Sequence, residues 1–148
     1  MPNSTITTFG YPDSLLAENA HWVVLLRPKQ VTIGSVVLAC QEEATSLGAI
    51  SRDAAAALPD AVRSIEEALH ASFGPGKFNY LALMMVDPHV HFHVIPRYPE
   101  PVELGDRTFA DSAWPGPPDV AATLDLSVAE AQELHQRLLR AWPGGDDA

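Results

Sequence analysis

Between His89 and Arg97 the chain alternates strictly, with Val90, Phe92 and Val94 on one parity and His89, His91 and His93 on the other. Successive side chains of an extended strand point to opposite faces, so the pattern predicts a strand over 89–97 with one apolar face and one face of three imidazoles. The apolar face requires a second layer to cover it. Two amphipathic helices are read elsewhere in the chain. Ser51 is placed to cap the first, on which Leu58, Val62, Ile65, Leu69 and Phe73 recur at spacings of three and four. Pro59 interrupts it, predicting either a kink or a helix that starts near Pro59, and Gly74-Pro75-Gly76 ends it. The second opens at the capping box Ser127–Glu130 and carries Val128, Ala131, Leu134, Leu138 and Trp142.

The remaining strands are read from short apolar runs. His21 to Leu26 and Gly34 to Cys40 predict an antiparallel pair. Lys77 to Val86 is apolar on both parities, which predicts a strand buried on both faces, with a break at Asp87-Pro88. Tyr98 to Asp125 is rich in Pro and Gly with aromatic islands at Phe109 and Trp114, and predicts a long ordered loop or arm. The tail Pro143 to Ala148 is expected to fray. No repeat or change of composition divides the chain, so one domain is expected over 1–148, with a core over about 10–98 and a C-terminal arm and helix over 99–148.

Charge and cysteine usage exclude several function classes. A formal net charge of -10 disfavours duplex nucleic acid, which demands clustered cations, but leaves room for a small phosphorylated ligand held by imidazoles and backbone N–H groups. The single cysteine, Cys40, lies in an apolar run and reads as a small buried hydrophobe. No leader or membrane-spanning run is visible, so a cytoplasmic protein without a membrane partner is expected.

His21, His70 and His135 each stand alone and read as structural or solvated, whereas three imidazoles on one strand face carry chemistry. As metal ligands they are poorly spaced: residues i and i+2 lie about 6.5–7 Å apart at Cα and residues i and i+4 about 13 Å apart, so two can converge on one ion but not three. Asp87 is the nearest further ligand, and no metal site is assigned. As phosphoryl chemistry the pattern fits better. A neutral imidazole is a good nucleophile towards phosphorus, and neighbouring imidazoles can stabilise charge on the non-bridging oxygens. His91, flanked on both sides, is best placed to attack, with His93 or His89 holding the phosphate or fixing the nucleophile's tautomer.

The segment His89-Val90-His91-Phe92-His93-Val94-Ile95 resembles the signature of the histidine triad (HIT) family, and its flanks Val86-Asp87-Pro88 and Pro96-Arg97-Tyr98 resemble the bacterial diadenosine-polyphosphate-hydrolase-like, Fhit-like branch. Gly34 to Leu38 and the preceding Arg27-Pro28-Lys29 turn resemble the early strands of Fhit-type members. The resemblance implies an α+β fold, a five-stranded antiparallel sheet with two helices, and a homodimer. It also implies hydrolysis or transfer at the α-phosphate of a dinucleoside polyphosphate or related nucleotide, through a nucleotidyl-histidine on His91. His93 would contact the phosphate and His89 would orient the nucleophile. No cofactor is implied, although a divalent metal can accompany the nucleotide. Two positions depart from the family pattern. Ser35 stands where many members have a histidine supporting the nucleophile, and only Val86-Asp87-Pro88 precedes the triad where others have a glycine-rich phosphate loop. Ser35 and Arg97 are therefore candidate substrate contacts with His93, and Leu26 and Leu38 candidate walls of the base pocket. A non-catalytic nucleotide-binding module, or a metal-binding protein using two of the strand histidines, is the alternative.

Overall fold

A computed structural model describes residues 2–144; the expected fraying of the tail lies, from residue 145 onward, outside the described residues. Five strands form one antiparallel sheet: β1 (Leu15–Glu18), β2 (Trp22–Leu26), β3 (Val36–Cys40), β4 (Lys77–Leu81) and β5 (His91–Arg97), in the order β1-β2-β3-β5-β4. β5 is thereby an interior strand, paired with β3 on one side and β4 on the other. The expected α+β class, five-stranded antiparallel sheet and two main helices are all present.

The sheet has two differently covered faces. Trp22, Val24, Leu26, Val36, Leu38 and Val94 point to one of them and pack under α2 (Arg52–Ser72) and α3 (Val128–Ala141), in a cluster that continues through Leu104, Phe109 and Trp142. The indole of Trp22 joins the layers directly, its Nε1–H donating to the Ala54 carbonyl at 2.8 Å. The opposite face carries Val23, Leu25, Val37 and Ala39, covered by Ile6 of a short helix, α1 (Ser4–Thr8), and by Phe9, Tyr11 and Leu15. It is the second face that bears the histidines.

Three local expectations change. α2 runs unbroken through Pro59, since losing one N–H donor does not outweigh a buried stripe that includes Ile65 and Leu69. The strand expected over Lys77 to Val86 stops at Leu81 and occupies the sheet edge, partly exposed. Beyond it Met84 adopts a positive φ of 44°, and Met85 and Val86 are 84% and 91% exposed. A run apolar on both parities is equally the signature of an apolar surface loop. Within 98–125 the arm contains a small hairpin, β6 (Val102–Leu104) with β7 (Arg107–Phe109).

The turn into β3 depends on Gly34. It has a φ of +94°, and a Cβ there would stand 2.5 Å from Leu69 Cδ2, so only glycine fits. At the start of α3 the expected capping box is complete: Glu130 N–H donates to Ser127 Oγ at 3.0 Å and Ser127 N–H to Glu130 Oε1 at 2.9 Å. Ser127→Ala is expected to lower stability by about 1 kcal/mol in urea denaturation and to leave ligand binding unchanged.

Candidate active site

The triad divides at its first member. β5 begins at His91, and His89 sits in a bend before it: the Val90 carbonyl still accepts from Cys40 N of β3, but the Val90 N–H turns away to donate to Ala44 O. The expectation of three imidazoles on one strand is corrected to two. His91 and His93 lie on the same face with ring centroids 5.0 Å apart and planes at 80°.

His89 takes part through two different groups. Its carbonyl lies 2.7 Å from His91 Nδ1. A carbonyl can only accept, so Nδ1 carries the proton and Nε2 keeps its lone pair. Its own imidazole turns away, with Nδ1 3.0 Å from Thr5 Oγ1 and Nε2 3.2 Å from a carboxylate oxygen of Glu43. His89 thus orients the neighbouring ring by main chain while its side chain fastens α1.

Phe9 closes the face. Its ring centroid lies 5.6 Å from that of His91 and 5.7 Å from that of His93, leaving these residues 2% and 8% exposed. Burial, with smaller contributions from the charges of His91 and Arg27, pulls the pKa of His93 down to about 4. His93 is therefore a neutral imidazole at neutral pH, and its buried Nδ1 has no hydrogen-bond partner. Phe9→Ala should return water to this ring and raise the His93 titration midpoint from about 4 towards the ordinary 6.5, which NMR of the imidazole signals measures directly. An unchanged midpoint would show that Phe9 does not create the apolar setting.

The fold has counterparts among solved structures. The chain is similar to a histidine triad protein from Bradyrhizobium japonicum, with a TM-score of 0.71 and 20% identity over 96% of this chain and 97% of that one. This is the histidine-triad fold. A hypothetical histidine triad nucleotide-binding protein from Sulfolobus tokodaii (TM-score 0.69, 14% identity, 86% and 82% covered) is also similar. So is a histidine triad protein from Sinorhizobium meliloti (0.69, 18%, 91% and 98%). No protein-family model and no curated protein matches the sequence.

Within this histidine-triad fold the other candidate contacts are dispersed. Ser35 is fully buried and its hydroxyl is spent in its own turn, donating to Thr32 O at 2.8 Å and accepting from Thr32 N at 3.1 Å. Arg97 shares the histidine face but is sealed: Nε bonds Asp111 at 2.7 Å and Nη1 bonds Asn79 at 2.8 Å. Leu38 is fully buried on the helix side, opposite the imidazoles. Leu26, of the same parity, lines a cleft of about 510 Å³ between the end of β2, α3 and Leu124–Leu126, and none of the three histidines lines that cleft. Strand parity separates both leucines from the triad.

Phe9 and Arg27 are the residues of this face that motif reading missed. Arg27 was visible by parity, because it continues the Val23, Leu25 stripe on the side opposite Trp22, Val24 and Leu26. Phe9 follows a five-residue helix too short for any periodicity to show. Among the described residues, no group of three or more His, Cys, Asp or Glu is placed to hold a metal ion, and no helix is long and apolar enough to cross a membrane.

Proposed function

We propose that the chain is a histidine triad nucleotide hydrolase or nucleotidyl transferase that acts at an α-phosphate through a covalent nucleotidyl-histidine on His91. The observation that carries this reading is the 2.7 Å contact between His91 Nδ1 and the His89 carbonyl, which leaves the Nε2 lone pair free for attack. Nε2 attacks the α-phosphorus; a P–N bond forms as the P–O bond to the leaving group breaks, and that oxygen takes a proton. Water or another acceptor hydroxyl then attacks the same phosphorus and passes its proton to the His93 imidazole that protonated the leaving group, the P–N bond breaks and Nε2 recovers its lone pair. The carbonyl of His89 stabilises the positive ring throughout.

His93, neutral and unpartnered at Nδ1, is the adjacent group that can donate to phosphate or leaving group once bound phosphate raises its proton affinity. Access requires the Phe9 ring to move, since it covers both imidazoles. Dinucleoside polyphosphates, the substrates of the branch that the motif resembles, are the leading class. Any divalent cation in the reaction would arrive on the substrate's polyphosphate. Support for a homodimer comes from β4, an edge strand unpaired on its outer side and continued by exposed Leu83, Met85 and Val86.

A panel of dinucleoside polyphosphates, nucleoside phosphoramidates and aminoacyl nucleotides, read by mass spectrometry of both products and protein, tests the reading. A nucleoside-monophosphate adduct on His91, accumulating in a His93→Ala variant, is the expected result. Nucleotide binding without turnover or adduct across the panel would instead favour a non-catalytic nucleotide-binding module.

A further inference from the structure

The histidine face holds a second orphaned polar atom. Arg27 Nε is buried without a hydrogen-bond partner, as is His93 Nδ1, and both residues belong to the same sheet face. Leaving such atoms unpaired is costly, and an unpaired guanidinium donor on the same sheet face as an unpaired imidazole nitrogen suits an anion. The register fixes their separation. Arg27 N–H donates to Ser35 O at 3.0 Å, and His93 pairs with Val37 two residues further along β3. Two strand spacings sideways and two residues along place the Cα atoms about 12 Å apart. Across that span the charge of Arg27 bears on His93, and Arg27 also lines the cleft at the end of β2.

Arg27 is also held in place in advance. Gln30, itself buried, pins the turn: its Nε2 donates to Arg27 O at 2.7 Å and to Ser35 O at 2.8 Å, while its Oε1 accepts from Gly34 N and Ser35 N. The guanidinium Nη2 donates to Val120 O at 3.2 Å and Nη1 to Lys29 O, so the plane of the fork is set. Other cations of the face are committed or distant. Arg97 is consumed by Asp111 and Asn79, and Lys77 pairs with Arg97, four residues along β4 from the partner of His93.

We propose that Arg27 is the cationic ligand for the non-bridging oxygens of the substrate's phosphate beside His93. This rests on the nucleotidyl-transfer reading and deepens it: Arg27 supplies charge that a neutral His93 lacks, in a chain where only Val86-Asp87-Pro88 precedes the triad. The ligand class is a nucleoside 5′-phosphoryl group. Burial already lowers the pKa of Arg27, and a bound anion would relieve that cost.

Calorimetry with AMP and with adenosine on the full chain tests the assignment. Arg27→Gln is expected to weaken AMP about 10- to 100-fold and to leave adenosine unchanged, with Arg27→Lys in between because it keeps the charge but loses the fork. As a check independent of any variant's folding, AMP should protect Arg27 of the wild-type protein from phenylglyoxal. Equal AMP affinity in wild type and Arg27→Gln, a matching loss of adenosine, or no protection of Arg27 would each overturn the assignment. Wild type that binds no AMP overturns both this and the enzymatic reading. AMP binding that depends on Arg27, with no turnover across the substrate panel, upholds the anion site and sinks the enzyme.

Discussion

Replacing His91 by alanine is expected to cut turnover of a nucleotide substrate by about three orders of magnitude or more and to abolish the protein-bound nucleotide. The expectation follows from one hydrogen bond. The His89 carbonyl holds the proton on His91 Nδ1, so the neutral ring presents its lone pair at Nε2. Asparagine at position 91 could keep a hydrogen bond to that carbonyl while removing the nucleophile, so His91→Asn should match His91→Ala in activity but lie closer to wild type in stability. Substrate binding should survive in both. Wild-type hydrolysis by His91→Ala would remove the covalent route altogether.

The largest expected loss of stability lies at the other end of the same strand. The side chains of Arg97 and Asp111 are 4% and 3% exposed and form a two-point ion pair at 2.7 and 3.3 Å. The carboxylate also accepts from Tyr98 N–H at 3.2 Å and Ala113 N–H at 3.3 Å. Asp111→Ala leaves a buried guanidinium without its counter-charge and is expected to cost about 3–5 kcal/mol in urea denaturation at neutral pH. The pH dependence has a definite sign. Burial pushes the Asp111 carboxyl up, but the bonds from Arg97 and Tyr98 and the Arg97 charge outweigh it and hold the carboxyl below its ordinary 3.8. Its contribution is therefore present above that value and lost as pH falls through the lower folded-state value. Stability of the wild-type protein should drop in that acid range, and Asp111→Asn should lack this component. Equal acid sensitivity in the two proteins would mean the pair contributes nothing.

What the sequence revealed follows the range of the interactions concerned. Patterns that repeat locally were legible: β2 and β3 from their apolar runs, α2 from its three-and-four stripe, α3 from its capping box. Helix signals at Pro59 misled because tertiary burial of Ile65 and Leu69 overrides a single lost donor. β1, four residues with one buried leucine, has too little alternation to be seen without its partner β2. The histidines themselves were unmistakable, but the bend at His89 goes with the bond from Val90 N–H to Ala44 O, 46 positions before Val90, and no local pattern encodes it. Likewise, Leu38 sits in a strand correctly foreseen and Ser35 in the turn just before it, yet whether Leu38 faces chemistry or core depended on register with β5.

The fastening of Thr5 to His89 joins positions 84 residues apart. During synthesis at about 5–20 residues per second, some 4–17 s pass between the appearance of these two residues. Throughout that interval Ile6 and Phe9 have no imidazoles to settle on, and β3 lacks its interior neighbour. A nascent chain arrested before residue 89 would offer Ile6 and Phe9 only the Val23, Leu25, Val37 and Ala39 part of their docking face, without the imidazoles or the Thr5–His89 fastening. Chaperone engagement of such arrested chains, fading as the translated length passes 97, would be the visible trace of that delay.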